Sequence, residues 1–267
     1  MKLTLAFSPC PNDTFMFHEI ATGGLSLRGH EIEVHLHDIE TLNELALAGT
    51  YDITKMSFHA HLLASDRYRL LNAGAALGFG CGPLLVTARP MSREAVLDGR
   101  IAIPGELTTA HLLFRLWAPR AREKVFVTYD RIMAMVASGE VDGGVIIHEG
   151  RFLFREAGLH QMVDLGQWWE ETTRLPIPLA GIAVRRSLPD GLADELDDLL
   201  RQSILDARSA GARCLPYIRQ HAQEMDEEVL RKHIDTFVNE QSLGLGPDGV
   251  AAVAHLEQMA RNAGVIP

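Results

Sequence analysis

The 267-residue sequence has no hydrophobic run that approaches the roughly 20 residues needed to cross a bilayer. Cysteine is scarce, because Cys10, Cys81 and Cys214 lie far apart and fit neither a disulfide framework nor a paired-cysteine metal site. Basic residues are also in the minority, with 25 Lys and Arg against 35 Asp and Glu for a net charge of −10. We therefore expect reduced thiols, no membrane insertion and no nucleic-acid partner.

The composition that remains is that of a soluble globular protein. Hydrophobic residues make up 47% and charged residues 22% of the chain, and the mean hydropathy is +0.03. This length suffices for two domains of ordinary size. After Lys2 the chain passes directly into the first apolar segment, without the long hydrophobic stretch of a secretion signal. We therefore expect a cytoplasmic protein.

Strand-like and helix-like segments alternate through the first two thirds of the sequence. Strands are predicted at residues 3–7, 32–37, 51–56, 84–87, 101–103, 125–127, 145–147 and 182–184, with helices between them at 41–48, 58–65, 109–117 and 131–138. The last third is predicted to be helical, over residues 189–210, 227–238 and 247–263. Such alternation indicates an α/β fold with a largely parallel sheet flanked by helices.

Two apolar segments, 82–87 and 175–184, enclose a separate α/β unit. A chain that leaves one lobe and returns to it through two crossing segments forms two lobes with a cleft between them. The predicted larger lobe is discontinuous and comprises residues 1–86 and 181–267, whereas the smaller lobe comprises residues 87–180. Ligands of open α/β sheets bind beyond the carboxyl ends of the strands, so we expect the site in the cleft.

The first predicted strand is followed directly by a polar loop and a helix start. Pro9 and Pro11 exclude helix through this loop, and Asn12 or Asp13 can cap a helix that opens at Thr14. The free amides of such a helix start attract anions. A capped turn without any ligand would have the same sequence, so this junction alone does not establish a binding site.

Two further junctions have the same character. Ser57 follows a predicted strand and precedes a helix, where its hydroxyl either caps the helix or turns toward a ligand. Thr108 and Thr109 follow the strand at 101–103 and open a helix together with Ala110. A single Ser or Thr at such a position is usually a cap, but three junctions that converge on one cleft favour a cradle for a carboxylate or phosphate.

His148 is the strongest candidate for chemistry. It follows the predicted strand at 145–147, which places an imidazole at the carboxyl end of a strand. Histidine exchanges a proton near neutral pH and suits general acid–base catalysis, although a surface histidine without function would occupy the same position. Glu149 either orients this imidazole or caps the helix that follows.

No motif for a metal or a nucleotide phosphate is evident. Histidines are paired at His35 and His37 and at His59 and His61, but the sequence shows no further ligands for either pair. The glycines within 78–82 suggest close backbone approach, because no Lys followed by Ser or Thr completes a phosphate loop. We therefore predict neither a metal site nor a phosphate loop.

Taken together, these motifs resemble the 1,4-dihydroxy-6-naphthoate synthase family of the futalosine route to menaquinone. The matching segments are 8–17 (SPCPNDTFMF), 55–60 (KMSFHA), 104–110 (PGELTTA), 146–151 (IIHEGR) and 175–179 (LPIPL). The resemblance extends over essentially the whole chain. It implies a two-lobed fold like that of type II periplasmic binding proteins, used here as an enzyme. It also implies conversion of cyclic dehypoxanthinyl futalosine to 1,4-dihydroxy-6-naphthoate without a metal or redox cofactor.

The resemblance also implies roles for individual residues. His148 matches the proposed catalytic base, and Ser57, Thr109 and Ala110 match positions expected to hold the substrate carboxylate. Asn43 matches a position expected in the pocket. The complete set of predicted substrate-binding residues is Asn12, Asp13, Thr14, Asn43, Ser57, Thr108, Thr109, Ala110 and Pro178.

Two alternatives remain at this point. A solute-binding protein of the same fold would bind a small carboxylate without transforming it, but the missing signal sequence and the placement of His148 weigh against this hypothesis. The related chorismate dehydratase shares the fold, but it is not expected to share the loop at 8–17. In all three hypotheses the partner is a small-molecule carboxylate, and the sequence carries no signal for an oligomeric state.

Overall fold

The computed structural model describes residues 1–223 and 226–266 and contains two β-sheets. The strands of the first sheet are β1 (Lys2–Phe7), β2 (Glu31–Leu36), β3 (Ile53–Ser57), β4 (Tyr68–Leu70) and β5 (Ala76–Gly78). The strands of the second sheet are β6 (Leu84–Thr87), β7 (Arg100–Ile103), β8 (Glu123–Phe126), β9 (Gly143–Ile146) and β10 (His160–Asp164). A final strand, β11 (Ile177–Arg185), returns to the first sheet.

Helices flank both sheets. Those of the first half are α1 (Pro11–Met16), α2 (His18–Ala21), α3 (Ile39–Ala48), α4 (Phe58–Leu63), α5 (Arg93–Asp98), α6 (Thr109–Trp117) and α7 (Ile132–Ser138). Those of the second half are α8 (Gly150–Leu153), α9 (Leu165–Thr173), α10 (Asp190–Ala210), α11 (Leu215–His221), α12 (Glu227–Phe237), α13 (Glu240–Leu243) and α14 (Gly246–Asn262). None of the helices described is long and apolar enough to cross a membrane.

The strand order is β2-β1-β3-β11-β4 in the first sheet and β10-β6-β9-β7-β8 in the second, and β5 also pairs with β11. Parallel pairs form one side of each sheet, because β1 pairs with β2 and β3, and β7 pairs with β8 and β9. The strands at the crossings, β6 and β11, pair antiparallel to their neighbours. The carboxyl ends of β1, β3, β7 and β9 each lead into a loop or helix that contributes to the cleft.

Each sheet has an apolar core against its helices. Leu192, Leu196, Leu200 and Ile204 recur every four residues along α10 and pack against the first sheet, as expected of an amphipathic helix. The α6 helix packs its apolar residues against the fully buried Trp169 of α9. The last helix, α14, contacts both β11 and α6 and so joins the two halves.

Strand pairing locates the two crossings between the sheets. All of β6 belongs to the second sheet from Leu84 onward, and all of β11 belongs to the first sheet from Ile177 onward. We therefore propose that the lobes divide a few residues earlier than at the predicted limits of 86 and 180.

The first crossing passes very close to the start of α9. A Cβ atom added to Gly82 would lie 2.3 Å from the Cα atom of Gly166, and the carbonyl of Gly82 accepts a hydrogen bond from Arg151 at 2.5 Å. The neighbouring Pro83 carbonyl accepts from the amide of Leu165 at 2.9 Å. Backbone therefore packs against backbone here, and neither segment can yield by a simple side-chain rotation.

This close approach predicts that Gly82→Ala destabilises the protein. We expect the free energy of unfolding in urea to fall by about 1–3 kcal/mol, the usual range for overpacking a tight site. Gly191→Ala is the matched control, because an added Cβ there meets nothing within 4 Å and alanine favours the helix. Equal stability of Gly82→Ala and the parent would show that the two backbone segments can separate without cost.

Candidate active site

A cleft lies between the two sheets, and its empty space of about 610 Å³ includes the part that is open to solvent. Its lining comprises Asn12, Ile39, Lys55, Ser57, Ala76, Cys81, Gly82, Pro83, Thr108, Thr109, Ala110, Ile147, His148, Arg151, Leu179, Ala180 and Phe237. The lining thus brings together Asn12, Ser57, Thr108, Thr109, Ala110 and His148 from the predicted site. The other predicted residues, Asp13, Thr14, Asn43 and Pro178, are buried but do not belong to the lining.

The first junction differs from the prediction. The α1 helix begins at Pro11, with Cys10 as an N-cap residue that makes no side-chain cap hydrogen bond. The prediction that Asn12 or Asp13 caps a helix at Thr14 was therefore wrong. Proline is favoured in the first helical turn, where its missing amide hydrogen is not needed, and this starts the helix three residues earlier. The hydroxyl of Thr14 donates to the Cys10 carbonyl at 3.1 Å and so is engaged within α1.

The carboxylate of Asp13 is fully buried (0% exposed) and lies directly behind the cleft wall. Both of its oxygens accept hydrogen bonds from the Lys55 ammonium at 2.6 Å. It also accepts from the amide and hydroxyl of Ser8, at 3.1 and 2.5 Å, and from the Asn12 carboxamide at 2.9 Å. Sequence reasoning missed the role of Lys55, although its position two residues before the junction at Ser57 was a usable signal.

Ser57 at the second junction does not cap α4 with its side chain. Its hydroxyl instead accepts from the Asn43 side-chain amide nitrogen at 3.1 Å, and its backbone amide donates to the Asn43 side-chain oxygen at 2.8 Å. Asn43 also donates to Glu40 at 3.2 Å, and Glu40 accepts from the amide of Leu107 at 2.9 Å. This chain of hydrogen bonds connects α3, β3 and the loop that precedes α6.

The third junction opens α6. Thr108 caps this helix through its hydroxyl oxygen, which accepts from the amide of His111 at 3.2 Å. The hydroxyl of Thr109 donates to the Leu179 carbonyl at 2.6 Å. The amides of Thr109 and Ala110 lie in the first turn, where backbone amides have no partner within their own helix. They border the cleft and are suited to an anionic group.

His148 occupies an unusual backbone conformation. The strand β9 ends at Ile146, one residue before the predicted end, and His148 has a φ of 54°, which is uncommon for a residue other than glycine. Its Nδ1 atom lies 3.5 Å from Sγ of Cys10. Its ring centroid is 4.8 Å from that of Tyr129 and 6.1 Å from that of His233. The loop thus turns the imidazole into the cleft.

Burial lowers the pKa of His148 to about 3, and the nearby Lys55 cation lowers it further in the same direction. The imidazole is therefore neutral at pH 7 and has a lone pair that can accept a proton. Burial raises the pKa of Cys10 to about 12, so the neighbouring sulfur is a protonated thiol. The pair is thus a neutral imidazole beside a neutral thiol.

Behind His148 lies His233, which sequence reasoning did not identify as a functional residue. Its Nε2 atom is 3.0 Å from the Asn12 carboxamide oxygen, and its Nδ1 atom is 3.9 Å from a carboxylate oxygen of Glu149. Glu149 makes no side-chain cap hydrogen bond to α8. A signal for His233 was available, because Leu230, His233 and Phe237 recur at helical spacing on one buried face of α12.

The paired histidines are not arranged as metal sites in the described part of the chain, which contains no group of three or more His, Cys, Asp or Glu side chains able to hold a metal ion. His37 instead contacts the Tyr51 hydroxyl through Nε2 at 2.8 Å, and the His35 ring lies 5.0 Å from the Tyr51 ring. The ring of His59 lies 6.3 Å from that of His111, at the side of α6.

Two sheets with a cleft between them define the fold class. The fold matches that of the alkanesulfonate-binding protein SsuA from Xanthomonas axonopodis pv. citri, with a TM-score of 0.71 and 14% identity over 100% of this chain and 94% of that chain. At this identity the likeness concerns the fold alone. The predicted periplasmic-binding-protein-like α/β fold is thus confirmed.

The chain belongs to the menaquinone biosynthesis family, whose sequence model matches residues 3–262. It is 47% identical to a 1,4-dihydroxy-6-naphthoate synthase from Thermus thermophilus, over 95% of this chain and 92% of that protein. It is 42% identical to the enzyme of the same name from Streptomyces coelicolor, over 99% and 95% of the two chains. A crystal structure of an Archaeoglobus fulgidus protein superimposes with a TM-score of 0.94 and 36% identity, covering 99% of this chain and 98% of that one.

These comparisons confirm the family resemblance inferred from the motifs. The protein is therefore an enzyme of menaquinone biosynthesis, not a solute-binding protein of the same fold.

The buried imidazoles predict a specific dependence of stability on pH. Burial lowers the pKa of His59 and His61 to about 4 and that of His148 to about 3, from an ordinary value of 6.5. The unfolded chain therefore binds more protons than the folded chain between these values. We expect the free energy of unfolding to be highest above pH 6.5 and to fall as the pH is lowered toward 4, as measured by urea titration.

A pair of variants isolates this effect. His59→Gln removes one buried imidazole and should reduce the slope of stability against pH, whereas His160→Gln changes an exposed histidine and should leave the slope unchanged. A parent protein that is equally stable at pH 7 and pH 4.5 would contradict the prediction.

Proposed function

We propose that this enzyme is a 1,4-dihydroxy-6-naphthoate synthase. In this proposal it converts cyclic dehypoxanthinyl futalosine to 1,4-dihydroxy-6-naphthoate by proton abstraction and carbon–carbon bond cleavage. One observation carries the proposal, namely that the neutral imidazole of His148 faces the same cleft as helix starts from both sheets. The names of the two curated relatives support the same activity.

The substrate carboxylate would bind where the second and third junctions meet. The hydroxyl of Ser57 is not used as a helix cap, and the amides of Thr109 and Ala110 open the nine-residue helix α6. The partial positive charge of this helix start favours an anion. A carboxylate bound there would anchor the substrate in one orientation with respect to His148.

In the proposed mechanism, the lone pair of His148 takes a proton from the bicyclic substrate. A carbon–carbon bond then breaks in a retro-aldol-like step, and the ring aromatises. Because aromatisation supplies much of the driving force, the protein mainly has to position the substrate and supply one base. The apolar side chains of Ile147, Leu179 and Phe237 line the cleft and would shield the electron-rich product from water and oxidants.

Substrate binding would also tune the base. The pKa of His148 lies far below neutrality, so the imidazole is deprotonated but weakly basic. A carboxylate brought into the cleft favours the charged form of the ring and raises its pKa. The base would then be better matched to proton transfer near neutral pH.

The proposal includes a cytoplasmic location and a reaction without a metal or redox cofactor, both on the grounds of the family resemblance. Activity that survives exhaustive dialysis against a chelator would support the second point. Activity restored only by an added metal would contradict it.

The proposed base predicts the outcome of His148→Ala. We expect kcat at saturating substrate to fall by about 10² or more, the usual contribution of general base catalysis. The naphthoate chromophore provides the assay, and chorismate assayed in parallel tests for dehydratase activity. His160→Ala is the control, because His160 is exposed on β10 and should leave turnover unchanged. Turnover of His148→Ala within about tenfold of the parent would rule out this role.

The hydrogen bonds of Glu40 generate a separate prediction. Burial raises the pKa of this carboxyl, while the amide of Leu107 favours its ionised form. In Glu40→Ala the loop before α6 loses this charged acceptor, and such bonds contribute about 1.5–3 kcal/mol. We expect KM for the proposed substrate to rise by about tenfold or more, with a smaller change in kcat.

Glu44→Ala is the matched control, since Glu44 lies one turn further along the same helix with an exposed side chain. A KM for Glu40→Ala within twofold of the parent would show that this contact does not position the binding loop.

A further inference from the structure

Lys55 is the one residue of the cleft lining that combines a positive charge with deep burial, since it is 4% exposed and lies on β3. Its ammonium donates to both oxygens of Asp13 at 2.6 Å. An ammonium has three N–H donors. Within residues 1–223 and 226–266 no third acceptor for Nζ is found, so one donor remains for a group in the cleft.

Asp13, the counterion of this lysine, has several other hydrogen-bond partners. Asp13 also accepts hydrogen bonds from the amide and hydroxyl of Ser8 and from the carboxamide of Asn12. These neutral donors satisfy further lone pairs of the carboxylate and do not change its charge. The positive charge of Lys55 acts on His148 and lowers its pKa, in addition to the effect of burial.

Arg151 is the other cationic side chain of the lining, but both of its terminal nitrogens already donate hydrogen bonds to other groups of the protein. Its Nη1 atom donates to the Gly82 carbonyl at 2.5 Å, and its Nη2 atom donates to Asp164 at 2.7 Å. These bonds hold the first crossing against the start of α9. Lys55 is therefore the better candidate for a donor that meets the substrate.

We propose that Lys55 is a catalytic residue that holds the substrate oxygen on which negative charge develops during cleavage. This inference rests on the proposed synthase activity. In a retro-aldol step a hydroxyl proton passes to His148, and its electron pair forms a new carbonyl. The electron pair of the breaking carbon–carbon bond forms a C=C bond, and the π pair of the adjacent carbonyl moves onto its oxygen. The free N–H of Lys55 donates to that oxygen and stabilises the enolate.

The first test is the kinetics of Lys55→Ala. We expect kcat to fall by about 10²–10³, as on removal of one oxyanion donor. KM should change much less, because the interaction strengthens only when charge develops. Propylammonium should restore part of kcat, whereas propanol, of similar shape but without charge, should not. Lys124→Ala is the matched control, since its ammonium donates to the Ala121 carbonyl away from the cleft.

A purely structural ion pair would give a different result. Lys55→Ala leaves the Asp13 carboxylate without its cation and can destabilise the protein, so Asp13→Asn is combined with it. If Lys55 serves only to neutralise Asp13, this double variant regains turnover. If Lys55 is the electrophile, the double variant remains impaired by at least about 10² in kcat while it folds as well as the parent by thermal unfolding.

The ring of His148 gives a readout that does not depend on turnover. Removal of the Lys55 cation should shift the NMR titration of His148 to higher pH, in Lys55→Ala and in the double variant alike. Near-parent kcat in the double variant, equal rescue by propanol and propylammonium, or an unmoved titration would each overturn the assignment of Lys55. A parent protein that forms no naphthoate from the cyclic futalosine derivative would overturn the synthase activity and the assignment together.

Discussion

The buried carboxylate of Asp13 determines how the floor of the cleft is arranged. A charge without solvent must have its lone pairs satisfied, and Ser8, Asn12 and Lys55 all turn their donors toward it. Asn12 in turn offers its carboxamide oxygen to His233, so the same carboxylate fixes side chains of α1, β3 and α12. Because these elements come from distant parts of the chain, the site forms only when the first sheet and the last helices are assembled.

A second set of contacts joins the two sides of the cleft. Glu40 on α3 accepts a hydrogen bond from the amide of Leu107 in the loop before α6. Asn43 donates hydrogen bonds to both Glu40 and Ser57. On the other side, Cys10 at the start of α1 lies against His148 in the loop after β9. The proposed anion site and the proposed base are therefore each built across the interface between the sheets. In such an arrangement the relative position of the lobes controls both binding and proton transfer, which is consistent with a binding-protein fold adapted to catalysis.

Much of this organisation could be predicted from sequence, and the exceptions have physical reasons. The strand at 84–87 and the helix at 109–117 coincide with β6 and α6, because each has strong periodicity and clear flanking signals. The strands β4 and β5 were missed because each has only three residues, and β10 was missed because it begins with the polar residues His160 and Gln161 and has no continuous apolar run. His148 and Ser57 were predicted to lie at the cleft because both stand at strand ends, and both belong to its lining. The bonds of Asp13 with Lys55 and of Asn12 with His233 depend on tertiary packing, and local sequence patterns do not encode which buried polar groups will meet.

The proposed mechanism also explains why a base of such low pKa is useful. Burial and the Lys55 cation keep the imidazole of His148 deprotonated, so it can act as soon as substrate binds. A ring held permanently at that pKa would give little driving force for proton transfer. The substrate carboxylate and the developing enolate both bring negative charge near Lys55, and each offsets the effect of the ammonium on His148. Lys55 therefore keeps His148 deprotonated before the reaction. Its charge opposes protonation of His148 least when the proton is transferred.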